Sequence, residues 1–332
     1  MRRIASLLVC LVCVVVFGGG VEAYLKLGTR ANGRSISLQW KQLPIRYFVT
    51  NRSVSGVTAT QFQQTIAHAF STWDSVEGVA LSSQFAGFTS APPLDDDSVS
   101  VIGFANRPNL DRVLGQTSFT FDVVTGELVE SDIFFNASFQ WSVAQAGETD
   151  RFDLESIALH EIGHLHGLGH SGLGETELRA GGRRVLGAEA VMFPIAFSAG
   201  TTLDRTLRAD DIAGIRDLYG TDTSRRATGS ISGRVTKNGV GVAGAHVVAF
   251  NPSNGKLVGG FTLDDDGSFV IAGLDPGPQV LRAEPLDDAE TDSFFDATVN
   301  VDVNFKPAFS TRLIVVPIGG TARNVEIKVV PK

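Results

Sequence analysis

Sulfur is nearly missing from this chain of 332 residues, which has two cysteines, Cys10 and Cys13, and two methionines. With both cysteines near the N-terminus, no disulfide framework can staple the rest, so the fold must rest on packed cores and on any metal it binds. Basic charge is also in short supply. Lys and Arg total 28 against 36 Asp and Glu, a net of −8, so no nucleic acid is expected as a partner. After residue 23 no apolar run approaches the roughly 20 residues that a membrane helix needs. Histidine is scarce at six residues, yet His160, His164, His166 and His170 all fall within "HEIGHLHGLGH", residues 160–170.

The first 23 residues carry Arg2 and Arg3, an apolar run over 4–17, and "VEA" before Tyr24. That is the pattern of a secretory signal peptide cleaved after Ala23, and its run is short for a membrane anchor. Cleavage removes both cysteines together with Arg2, Arg3 and Glu22, which moves the net charge from −8 to −9. The mature protein is expected to be secreted, extracellular and free of the membrane. Its roughly 309 residues suggest two domains.

Helix geometry makes the histidine pattern informative. His160 and His164 are four residues apart, about 40° around a helix and about 6 Å along it. Both imidazoles can therefore reach one zinc ion at bonds of about 2.1 Å. On a continuous helix His170 would lie about 15 Å from His160. The chain must turn back, and Gly167 tolerates the positive φ that such a turn uses. Three histidines then hold the metal and a fourth position stays open, the arrangement of a catalytic site rather than a structural one. Glu161 points about 100° away from His160. A carboxylate there can take a proton from a water acidified by the metal and return it to a leaving amine. The bland alternative, a chance H-E-x-x-H pair on a solvated surface, has to account for five fixed positions at once.

The full pattern H-E-x-x-H-x-x-G-x-x-H resembles the signature of the metzincin metallopeptidases, and Ser171 after the third histidine is similar to the matrixin branch. "AVMFP" (190–194) resembles the matrixin Met-turn, which implies that Met192 lies beneath the histidines. "LRADDIAGIRDLYG" (207–220), with Asp210 and Asp211, resembles the family's C-terminal helix. "FQQTIAHAFSTWDSV" (62–76) looks like its first helix, with Phe62, Ile66, Phe70 and Trp73 on one face. The resemblance implies an α/β (α+β) catalytic domain with a twisted mixed sheet and a zinc-binding helix. It also implies a substrate laid along an edge strand, for which "GQTSFTF" (115–121) is the candidate and "SDIFF" (131–135) its neighbour. In that reading His160, His164 and His170 are the metal ligands and Glu161 is the catalytic residue. Phe193 and Pro194 follow Met192, so no tyrosine is expected on the metal. A cysteine switch is not expected either, nor a second, structural zinc. His68 is expected to be solvated, and His166 to be a packing residue rather than a ligand. The stretch between His170 and Met192 is longer than in vertebrate matrixins, and its "GETELRAGGRRVLG" reads as a polar loop near the cleft.

A polar, small-residue stretch at 220–230 marks a boundary. Beyond it, short β-like runs alternate with Gly, Pro and Asp turns. "TLDDDGSFVIAGLDPGPQVLRAEP" resembles the carboxypeptidase regulatory-like domain, which implies an all-β immunoglobulin-like sandwich. Asp264–Asp266 before Gly267 reads first as a hairpin turn, with Ca2+ as the alternative. The expected organisation is a signal peptide (1–23), a matrixin-like metallopeptidase domain (24–222) and a β-sandwich region (223–332). The expected function is a zinc endopeptidase acting on extracellular proteins or peptides, with the sandwich docking substrate or cell surface. Because the sandwich brings none of the three histidines, a chain ending near Arg226 is expected to cleave short peptides as the full length does; the competing view is that the sandwich packs over the cleft and shapes it, against the long loop between His170 and Met192. Two alternatives stay open: a catalytically silent binding protein, against which an intact Glu161 argues, and a hydrolase of non-peptide amides. Sequons at Asn51 and Asn136 matter if the host glycosylates.

Overall fold

A computed structural model describes residues 4–7, 26–31, 34–95, 97–179, 182–287, 291–295 and 299–332. Apart from 4–7, the expected leader lies outside these residues, as does Tyr24. The N-terminal region is built on a six-stranded sheet in the order Ile4–Leu7, Gly115–Asp122, Leu128–Asn136, Val101–Ala105, Ile45–Thr50, Ser83–Thr89. The sheet is mixed. The four strands from Leu128–Asn136 to Ser83–Thr89 run parallel, and Gly115–Asp122 runs antiparallel to its neighbour. The two runs expected as edge strand and neighbour are therefore paired, with Thr117 opposite Ile133. Ile4–Leu7 adds to the outer side of Gly115–Asp122, again antiparallel.

Two helices pack on this sheet and on each other, α1 (Ala59–Asp74) and α2 (Leu154–Leu165). Thr58 starts α1 by accepting from the Gln61 N–H while the Gln61 side chain reaches back, a capping box. The stripe Phe62, Ile66, Phe70 and Trp73 is buried as its spacing requires. Trp73 also donates its indole N–H to Leu159 O at 2.9 Å, which ties α1 to α2 through a satisfied polar handle. Phe62, Phe104, Phe135 and Trp141 pack ring against ring at 4.5–6.1 Å between helix and sheet. Asn136 ends the strand inside the core. Its amide donates to Arg107 O, Leu110 O and Val113 O at 3.0–3.1 Å and so holds the loop that feeds the edge strand. The Asn136 side chain is thus fully enclosed in the folded protein.

The segment 174–188 is not the polar loop that its composition suggested. It forms an antiparallel hairpin, Gly174–Arg179 with Gly182–Ala188, and buries Val185 and Ala188. α3 (Ala209–Tyr219) follows, and then a six-residue helix, Asp222–Ala227, where a linker was expected. The expected boundary at 222 thus falls on the first residue of a helix. The C-terminal region is a two-sheet β structure. Gly229–Lys237 pairs antiparallel with Ser268–Leu274 and parallel with Thr321–Val329. His246–Phe250 lies between Leu257–Phe261 and Gly277–Glu284. Ile231, Phe269 and Ile327 of the first sheet face Val247, Leu281 and Ala283 of the second in one core. Asp264–Asp266 forms the expected turn, with Gly267 at φ 73° donating to Asp264 O. The two regions are not held apart. Ala213 of α3 packs against Gly273 of the sandwich, and a single hydrophobic core runs through both.

His166 lies within that core. Its ring meets Phe70 and Trp73 edge-on, with centroids 5.9 Å away, and neither ring nitrogen has a hydrogen-bond partner. Burial pushes its pKa down to about 3. It is a packing residue that leaves two polar atoms unsatisfied, so His166→Leu should stabilise the protein by about 1–3 kcal/mol. A base with a depressed folded pKa favours folding above its unfolded pKa of about 6.5 and loses that contribution as pH falls toward 3. The gap between variant and wild type should therefore widen below pH 6.5, by up to about 1.4 kcal/mol per unit. Calorimetry of both proteins in metal-free buffer at pH 7 and pH 5 checks this. A variant melting below wild type at both values would contradict it.

Candidate metal centre

α2 begins at Asp153, whose carboxylate caps the helix by accepting from the Ser156 N–H at 2.9 Å and is clasped by Arg205. The helix then carries His160, Glu161 and His164. It ends at His166, and Gly167 reverses the chain with φ 98°. A side chain at 167 would also collide with Leu38 O, 2.3 Å from where its Cβ would sit. Leu27, Leu38 and Trp40 seal this turn. Leu27 donates its N–H to Gly167 O at 2.9 Å, and Trp40 its indole N–H to Leu165 O at 2.8 Å. His170 is thereby brought back to the helix.

The Nε2 of His164 stands 3.1 Å from that of His160 and 3.2 Å from that of His170, and the three ligand atoms lie within 4.8 Å of one another. Each ring gives its other nitrogen to a backbone carbonyl: His160 to Val191 O at 2.8 Å, His164 to Leu168 O at 2.8 Å, His170 to Ser293 O at 2.6 Å. A carbonyl can only accept, so each Nδ1 carries the proton and each Nε2 presents a lone pair. Burial holds all three pKa values below the usual imidazole range. His170 falls to about 3, with the charge of His160 adding to the effect of burial. The rings are therefore neutral at pH 7, the form that binds metal. Tetrahedral zinc with bonds of about 2.1 Å sets its nitrogens about 3.4 Å apart, close to the spacing of the two pairs that include His164. The donor set fits zinc.

Glu161 is buried. Its Oε2 accepts from the Thr117 hydroxyl at 2.7 Å, across the gap from helix to edge strand. Burial pushes its carboxyl up to about 7, against the opposing pull of Thr117. Met192 lies under the helix as the Met-turn resemblance implied, with its sulfur 2.2 Å from where a Cβ on Gly163 would stand, so only glycine fits there. Asp211 holds that turn. It accepts from the N–H groups of Val191, Met192 and Arg208 at 2.8–3.1 Å, and burial raises its pKa to about 6. Asp210, raised to about 7 by burial, accepts from the Ser171 hydroxyl and from the Gly259 N–H of the sandwich at 2.7 Å. Tyr219 donates its hydroxyl to His166 O and Tyr47 stacks on Phe70, so both are engaged in the core. His68 is exposed, as expected, and it also pairs with Glu155 at 2.9 Å.

Sequence reasoning missed Thr117 and Ser293. A threonine on an edge strand carries no signal of its partner. Ser293 acts through its backbone carbonyl, so no residue type marks it. Ser293 belongs to the C-terminal region, so that region touches the site through a backbone carbonyl.

A family model described as Matrixin matches residues 39–220, and one described as Carboxypeptidase regulatory-like domain matches residues 230–307. Metalloendoproteinase 1 of Glycine max is 32% identical over 169 residues, which is 48% of this chain and 46% of that protein. Metalloendoproteinase 5-MMP of Arabidopsis thaliana is 42% identical over 88 residues, 26% of this chain and 19% of that protein. Karilysin of Tannerella forsythia is 24% identical over 237 residues, 66% of this chain and 41% of that protein. The chain thus spans less than half the length of these curated relatives.

Because Asp211 fixes the turn that supplies Val191 O to His160, removing it should disturb both fold and metal. Asp211→Ala leaves two buried N–H groups and a half-buried one unpaired, a cost of about 3 kcal/mol or more, and should weaken zinc uptake. Melting temperature and zinc titration read the two effects. Wild-type values for both would show that the turn holds itself.

Proposed function

The chain belongs to the matrixin family, and from that premise we propose that it is a secreted zinc-dependent endopeptidase in which His160, His164 and His170 hold the metal and Glu161 is the general base. The observation that carries the reading is the convergence of three proton-free Nε2 atoms beside a buried carboxyl. Zinc bound there would lower the pKa of a water to about 7 and polarise the carbonyl under attack. The chain's own residues supply the rest. Burial puts the Glu161 carboxyl at about 7, where a group can take a proton near neutral pH and hand it on to a leaving amine. Thr117 holds one carboxylate oxygen and leaves the other free to act.

The strand that carries Thr117 also offers the substrate its place. Its outer side accepts an antiparallel partner, as the pairing with Ile4–Leu7 illustrates, and an extended peptide added in that way gains main-chain hydrogen bonds. The names of the Glycine max and Arabidopsis thaliana relatives, metalloendoproteinases, support an internal peptide bond as the target. The leader pattern of residues 1–23 supports secretion. No helix among the described residues is long and apolar enough to cross a membrane.

Glu161→Ala should retain one zinc per chain and lose at least ~10²-fold in the rate of peptide cleavage. Metal analysis beside turnover of a peptide library, with and without a chelator, checks both parts, and full activity in that variant would sink the mechanism. The role of Thr117 is read separately. Thr117→Val should lower kcat about 10-fold or more at nearly constant KM, since a hydrogen bond to a charged group is lost. Thr117→Ser should restore most of the rate. A Thr117→Ser protein no better than Thr117→Val would show that the methyl packing matters instead.

A further inference from the structure

The three histidines are not held alike. His160 and His164 find their Nδ1 acceptors within the matrixin segment, at Val191 and Leu168. His170 finds its acceptor 123 residues away, at Ser293 of the C-terminal domain. Ser293 lies on a four-residue helix, Thr291–Phe294. Phe294, beside it, sets its ring edge-on to His170 with centroids 6.3 Å apart. Phe294 and Phe295 are buried, and both pack on Phe261, each with centroids 5.4 Å away.

These rings belong to an apolar cluster that draws on three parts of the chain. The hairpin inserted after His170 contributes Val185 and Ala188, the residue after Met192 contributes Phe193, and the sandwich contributes Phe261, Leu286, Phe294 and Phe295. An ion pair from Arg183 of the hairpin to Asp287 closes the same junction at 2.9 Å. Behind it, Asp210 ties Ser171, the neighbour of His170, to the Gly259 N–H. The long insertion thus has a structural use: it is the platform on which the sandwich reaches the third histidine.

We propose that the Thr291–Phe295 segment is a positioning element of the metal centre, so that the C-terminal domain completes the site instead of merely accompanying it. The inference rests on the zinc reading above. The Ser293 carbonyl fixes the tautomer and rotation of His170, and Phe294 and Phe295 anchor that carbonyl in place. Partners of this kind orient metal-binding imidazoles and raise their basicity, and losing one costs about 10–100-fold in metal affinity.

Because the acceptor is a backbone atom, the test acts on its anchor. Zinc affinity of the full-length chain is measured by competition with a chromophoric chelator, and melting of the metal-free protein reports the fold. Phe294→Ala should weaken zinc binding about 10–100-fold, and Phe294→Leu should recover most of the loss. Ile327→Ala serves as the control. Ile327 is buried in the sandwich core and lies outside the cluster around Phe294, so this change should lower the melting temperature and leave zinc affinity within about twofold of wild type. Wild-type affinity in Phe294→Ala would overturn the proposal, as would an equal loss in Ile327→Ala. If Phe294→Ala does not fold, Phe295→Ala, which removes the other ring packed on Phe261, takes its place, with the same loss of about 10–100-fold expected and wild-type affinity overturning the proposal. A wild-type chain that takes up no zinc would instead overturn the metal reading itself, a separate result.

Discussion

Each of three imidazole rings gives its only proton to a backbone carbonyl, and everything else at the centre depends on this. Without those carbonyls, three converging nitrogens, with that of His164 3.1 and 3.2 Å from the other two, would be a source of repulsion or a disordered set of tautomers. With them, the rings are locked in the form that presents lone pairs to one point. The fold can be understood as the means of delivering Val191 O, Leu168 O and Ser293 O to the right places.

Each delivery has its own support. Val191 sits on the Met-turn, which Asp211 grips through the N–H groups of Val191 and Met192. Leu168 follows the reversal at Gly167, which Leu27 and Trp40 cover. Ser293 arrives from the C-terminal domain, seated on Phe261 and the inserted hairpin. Several of these supports are buried carboxylates or rings whose proton affinities burial displaces, among them Asp210, Asp211 and Glu161. Asp210 and Asp211 accept backbone N–H groups, so their burial strengthens the bonds they make. Glu161 differs: one hydroxyl holds it, and a proton affinity near neutrality suits it to chemistry.

Much of this was legible in the residues. Ligands on one helix must recur at helical spacing, so His160, His164 and the turn to His170 declare themselves locally. The stripe on α1 follows from periodicity in the same way, whereas the antiparallel pair Gly115–Asp122 and Leu128–Asn136 is reached through the family resemblance. What stayed hidden was non-local or carried by the backbone. A carbonyl acceptor such as Ser293 O has no residue signature. The strands 174–179 and 182–188 read as polar because charged residues and glycine dominate them, and Val185 and Ala188 turn inward while Leu178 and Leu186 stay exposed. The stretch after Tyr219 has the composition of a linker, yet it forms a helix, while one of the contacts that join the domains is made by small residues, Ala213 and Gly273. Small residues permit close approach without announcing it.

The central claim concerns protons, and nitrogen-15 correlation spectra of the histidine side chains observe them directly. In the full-length, metal-free chain at pH 7, His160, His164 and His170 should all appear as neutral rings protonated at Nδ1, with Nε2 bare. A ring found charged, or protonated at Nε2, would contradict the account at the atom on which it rests.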